Sequence, residues 1–184
     1  PVADRLRVVS NTGINLRINV DTGETITDGV IVPGATGSTI TAAAYTNAFV
    51  GASTTQLFDL DTTNGLVHLQ DPPNSGGLAT GVSLGLPSAA TAVNGFDIDP
   101  RTNLGYAALR VGGSTGLYSV NLAATTAAAT RIGDIAGSAT RVGVFTFAAR
   151  KPQLAEVIGD LEASSYVGVA LADDDDGDCL FHGN

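Results

Sequence analysis

Three stretches of this chain echo one another, and a repeat too short to bury its own apolar face constrains the fold more than any other feature. Leu16-Arg17-Ile18-Asn19-Val20-Asp21-Thr22-Gly23, Leu57-Phe58-Asp59-Leu60-Asp61-Thr62-Thr63-Asn64-Gly65 and Leu117-Tyr118-Ser119-Val120-Asn121-Leu122-Ala123 each alternate apolar and polar residues. A period of two is that of a strand with one face inward and one outward. The first two stretches run into an Asp-Thr turn closed by glycine, whose positive φ lets the chain reverse. Each stretch is read as the third strand of a small antiparallel sheet with its outgoing turn. Their leading leucines are spaced by about 40 and about 60 residues, which brackets the ~40–50 residues of one propeller blade.

The flanks repeat as well. Ala42-Ala43-Ala44-Tyr45-Thr46 and Leu104-Gly105-Tyr106-Ala107-Ala108-Leu109 precede the second and third units, and Thr80-Gly81-Val82-Ser83-Leu84-Gly85 and Thr130-Arg131-Ile132-Gly133-Asp134-Ile135 follow them. The expected fold class is therefore all-β: a propeller-like array of about three antiparallel blades, an incomplete propeller, over residues 1–148. Blades bury their faces on neighbours, so an incomplete ring leaves an open edge that calls for upstream blades or self-association as a homo-oligomer. Residues 149–184 depart from the pattern. Leu154, Val157, Ile158 and Leu161 fall at helical spacing after Pro152, which predicts one short amphipathic helix able to cap that edge, followed by an acidic tail from Asp173 to Asn184.

Composition narrows the function classes. The 184 residues are 43% apolar, enough for one core without metal or disulfide, and 23 glycines with only 15% charged residues favour short strands and tight turns. Nine Lys and Arg against 18 Asp and Glu leave a net charge of −9, which argues against a nucleic-acid partner, since displacing counterions needs clustered cations. A single cysteine, Cys179, excludes an intrachain disulfide framework. No apolar run reaches the ~18 residues of a membrane span. The chain opens at Pro1 with no methionine anywhere, so its start is expected upstream, cleaved, truncated or left out, which is compatible with a lost signal peptide and an extracellular or periplasmic location.

The stretch Asp4-Arg5-Leu6-Arg7-Val8-Val9-Ser10-Asn11-Thr12-Gly13-Ile14-Asn15-Leu16-Arg17, followed by Asp21-Thr22-Gly23, resembles the long signature of a bacterial domain-of-unknown-function family. Ala42-Ala43-Ala44-Tyr45-Thr46-Asn47 and Val93-Asn94-Gly95-Phe96-Asp97 resemble its next blocks, so that the likeness covers roughly residues 1 to 137. The resemblance implies an exported protein of propeller type and carries no established chemistry. The family pattern has further blades ahead of Pro1, and the stretch after Ala148 does not match it.

Candidate chemistry begins with calcium, a hard cation that takes oxygen ligands. Asp59 with Asp61, and Asp97 with Asp99, lie two residues apart on their strands, so each pair presents two carboxylates on one face. Turn capping is the plainer use of the same residues. The run Asp173-Asp174-Asp175-Asp176-Gly177-Asp178 fails as a calcium loop, because aligning Gly177 with the sixth position puts Ala172 first and Gly183 twelfth. Gly81-Val82-Ser83-Leu84-Gly85 matches a nucleophile elbow in letters only, since Leu86-Pro87 follows where a helix must start. His68 and His182 are the two side chains suited to proton transfer near neutrality. His68, between Val67 and Leu69, reads as an outward strand residue, with a general base as its catalytic reading. Two histidines and one cysteine are too few for an ordinary zinc site. Arg5, Arg7 and Arg17 share a hairpin and could clamp a carboxylate ligand, or pair with acidic neighbours on an exposed face.

Two functions survive. The first is a secreted, propeller-like binding or structural module for a small molecule, glycan or surface partner. The alternative is a calcium-dependent hydrolase of lactones or esters, with Asp59, Asp61, Asp97 and Asp99 holding the metal, Asp97 and Asp99 in the catalytic group, and His68 as a distant base.

Overall fold

The computed structural model describes residues 2, 5–31, 37–49, 51–135 and 168–170. Among them the chain forms strands β1 (Leu6–Val9), β2 (Asn15–Ile18), β3 (Thr25–Thr27), β4 (Ile40–Tyr45), β5 (Leu57–Asp61), β6 (Leu66–Gln70), β7 (Val82–Ser83), β8 (Ala90–Ile98), β9 (Gly105–Val111), β10 (Ser114–Val120), β11 (Ala129–Asp134) and β12 (Gly168–Ala170), with one 3-10 turn at Pro73–Ser75. The fold is all-β. No helix among the described residues is long and apolar enough to cross a membrane. The helix expected around residues 152–161 and the acidic tail, with Cys179 and His182, lie outside the described residues.

The strands make three four-stranded antiparallel sheets, none closed into a barrel: β12-β1-β2-β3, β4-β5-β6-β7 and β8-β9-β10-β11. Short hairpins set the registers. Between β9 and β10 the turn is Gly112-Gly113, with φ of 60° and 86°, the two positive values that a two-residue hairpin matching the strand twist requires. Gly81-Val82-Ser83-Leu84-Gly85 contributes β7, the closing strand of the second sheet, paired to β6 through Leu66↔Ser83 and Val67↔Val82.

The repeat is real but offset from its sequence reading. Leu16 and Leu117 lie in the third strands of their sheets, whereas Leu57 opens β5, the second strand of its own. The true third strands begin at residues 15, 66 and 114, about 50 apart. The uneven spacing of the leucines arose because β5 and β6 both alternate, and one hairpin offers two equally good matches.

The second sheet is buried on both faces. Ala42, Ala44, Leu60 and Val67 join Phe96, Ile98, Ala107, Leu109, Tyr118 and Val120 in the larger core, shared with the third sheet. Ile40, Ala43 and Leu57 join Val9 and Ile31 in a smaller core, shared with the first. Alternation along β5 thus sorts residues between two interiors: Phe58 and Leu60 toward the third sheet, Leu57, Asp59 and Asp61 toward the first. Backbone hydrogen bonds stitch the sheets at their outer edges, Gly29 N–H to Asn74 O (2.9 Å) on one side and Ala128 N–H to Ser83 O (2.8 Å) on the other.

Candidate functional site

The side chains that carry chemistry gather in the seam between the first and second sheets. Arg7 and Arg17 are partners in the β1–β2 register and so point the same way. Both close on Asp28, which leaves β3 a residue after Thr27. Arg17 grips it with Nε at 2.7 Å and Nη2 at 2.8 Å, and Arg7 reaches the same carboxylate with Nη1 at 2.8 Å. Arg7, 2% exposed, also donates to Tyr45 Oη (2.9 Å), Asn15 Oδ1 (2.6 Å) and Asn74 Oδ1 (2.7 Å). Burial pushes the Asp28 carboxyl up, but the hydrogen bonds and charges of Arg17 and then Arg7 outweigh it and hold the group below its ordinary value. Arg5 sits half-buried just ahead of β1.

Across the seam stands Asp59, wholly buried, with both carboxylate oxygens lacking a hydrogen-bond donor among the described residues. Desolvation pushes its pKa up to about 8, with the charge of Arg7 pulling weakly the other way. Directly opposite on β6 is His68, 5% exposed. The expectation that His68 faces outward is corrected here: in a sheet with two buried faces, alternation does not identify a solvent side. Its Nδ1 donates to Ala79 O at 2.9 Å, and its Nε2 lies 3.7 Å from Asp61 Oδ2. Gln70, two residues on, donates Nε2–H to Pro73 O (2.6 Å), which leaves Oε1 unpaired. This face of the β5–β6 hairpin thus holds four buried polar atoms without a hydrogen-bond partner among the described residues: both Asp59 carboxyl oxygens, His68 Nε2 and Gln70 Oε1.

Of the remaining candidates, Asp61 and Asp99 hold turns together. Asp61 accepts Thr39 N–H (3.2 Å) and Asn64 N–H (3.1 Å) on Oδ1 and the Asn64 amide (2.8 Å) on Oδ2. Burial pushes the Asp61 carboxyl up, and these bonds more than offset it, holding it below its ordinary value. Asp99 takes Arg101 Nε (3.0 Å) and the Arg101 N–H (3.0 Å) in the turn between β8 and β9, and its pKa is lowered chiefly by the Arg101 side chain. Asp97, in β8, accepts the Ile98 N–H at 2.8 Å. Among the described residues no group of three or more His, Cys, Asp or Glu is arranged to hold a metal ion.

Sequence reasoning did not single out Asp28, Asn15, Gln70 or Tyr45. Asp28 carried one signal, an acid placed a few residues beyond a hairpin bearing two arginines. Gln70 carried none, because its position opposite Leu57 becomes visible only once the register is known.

At the end of β4 and β8 the two loops lock together. Asn47 N–H donates to Asn103 Oδ1 (3.0 Å) and Asn103 Nδ2 to Asn47 Oδ1 (2.8 Å), with both residues left-handed at φ of 51° and 55°. Phe49, 43% exposed, stands beside this pair in sequence.

A family model described as Domain of unknown function (DUF4394) matches residues 1–145. No curated protein and no solved structure matches the chain.

Proposed function

The chain belongs to that DUF4394 family, and from this premise we propose that it is a propeller-type module for binding or structural use, exported from the cytoplasm. What supports the propeller reading is a four-stranded antiparallel unit recurring about every 50 residues, with β4 lying against both β8 and β12. The observation that carries the functional reading is the commitment of the reactive side chains to the fold. Arg7 and Arg17 are engaged by Asp28, Asp61 and Asp99 cap turns, and Asp59 with His68 is sealed between sheets. A catalyst needs convergent groups within reach of a substrate. The linked loops of Asn47 and Asn103, with the exposed ring of Phe49, supply a rigid polar and aromatic surface of the kind that binding loops present.

The competing reading is calcium-dependent lactone hydrolysis. A lactone panel followed by proton release, with calcium and then with chelator, separates the two. We expect no turnover in either condition and no change on Asp97→Asn. Chelator-sensitive turnover abolished in Asp97→Asn would replace the binding module with the hydrolase.

A further inference from the structure

The two seams of this molecule are built differently, and the difference has a mechanical consequence. Between the second and third sheets the contact is apolar and deep: Leu60 and Val67 meet Ile98, Leu109 and Val120, all 4% exposed or less. Between the first and second sheets only Val9, Ile31, Ile40, Ala43 and Leu57 form the buried apolar core. The rest of that seam is polar. Asp59 Oδ1 and Oδ2, His68 Nε2 and Gln70 Oε1 are buried there without a partner among the described residues. Each such atom gave up water on folding and regained nothing from the protein, so its desolvation cost falls on this seam. The arginine network does not relieve it. Arg7 spends its bonds on Tyr45, Asn15, Asp28 and Asn74. Rehydration would restore partners to all four of these atoms, whereas parting the other seam would expose chiefly apolar side chains; the third sheet holds one such orphan atom among the described residues, Thr115 Oγ1.

We infer that the molecule opens at the seam between the first and second sheets, the second and third staying docked, and that the open state uncovers the polar face of Asp59, His68 and Gln70. Opening breaks the Arg7–Tyr45, Arg7–Asn74 and Asn15–Pro73 bonds and the Gly29–Asn74 backbone bond, and it leaves Arg7, Arg17 and Asp28 together on the first sheet. The inference concerns the packing of the fold and stands whether or not the module reading holds.

Hydrogen exchange by mass spectrometry on the full chain at pH 8, over a series of low urea concentrations, tests it. Amides of β1 and β2 are expected to exchange through an opening at least tenfold more populated than the one that exposes β9 and β10. Asp59→Asn keeps the shape of the side chain, removes the buried ionisable group and gives this face a fixed N–H donor. It should raise protection of β1 and β2 at least tenfold with β9 and β10 unchanged. One common opening constant for all three sheets would overturn the inference, and so would an Asp59→Asn chain in which the first and third sheets gain protection equally.

Discussion

Asp59 shows how one position in a strand can carry the pH response of a domain. Its carboxyl titrates near 8 in the folded chain against 3.8 for an ordinary aspartate. Between these values the native state holds a proton that the unfolded chain has released, so stability falls as pH rises, by up to about 1.4 kcal/mol per pH unit for a fully developed difference. The fall should set in near pH 4, where the unfolded aspartate titrates, and level off above about pH 8. In Asp59→Asn this component is gone, and urea midpoints measured from pH 5 to 9 should lose that slope. His68→Gln leaves the Asp59 carboxyl in place, so the slope should persist in it, and its disappearance there would count against Asp59 as the source. None of this was legible in the sequence, where Asp59 and Asp61 form one equivalent pair. Their environments differ because Asp61 is the last residue of β5, within reach of the turn N–H groups, while Asp59 lies two residues inside the strand, whose backbone donors face its neighbours.

At the scale of the element, the strands and their outgoing turns could be read from alternation and glycine, and the Val82–Ser83 closing strand was recovered from the same logic. Register could not. Alternation reports which residues share a face and is silent on which strand of a meander they occupy, so β5 and β6 compete for the same template and the second unit slipped by one strand. The glycines around these strands separate conformational need from spatial need. Gly23 and Gly76 have nearly the same φ, 72° and 70°. A Cβ at Gly23 would meet nothing within 4 Å, whereas one at Gly76 would stand 2.2 Å from Val30 O and 2.6 Å from Gly29 O, where the 3-10 turn abuts the chain leaving the first sheet. Gly23→Ala should therefore cost about 1–2 kcal/mol, the penalty of a left-handed alanine. Gly76→Ala adds a backbone collision that side-chain motion cannot relieve, and its urea midpoint should fall at least twice as far. Equal losses would mean that the two backbone segments part readily.

For the whole molecule, the second sheet is the keel, and a residue's consequence depends on which of its faces the residue serves. Leu57 and Leu60 are three residues apart on β5 and 1% and 0% exposed, yet they point into different cores. Truncating either to alanine removes the same atoms and should cost about 2–5 kcal/mol, the spread set by how far each site can collapse. Leu60 lies among close-packed aliphatic side chains, so little relaxation is available and its loss should sit at the upper end. Leu57 borders the thin core beside Asp59 and Gln70, where water can enter the space left behind, so its loss should sit lower. Hydrogen exchange distinguishes the two in kind as well as size. Leu57→Ala should lower protection in β1 and β2 and leave β9 and β10 near their original values. Leu60→Ala should lower it across all three sheets, because the sheet to which the first is docked is itself loosened. If both variants lowered protection everywhere by the same factor, the three sheets would be a single cooperative unit, and the contrast between a polar and an apolar seam would have no energetic meaning.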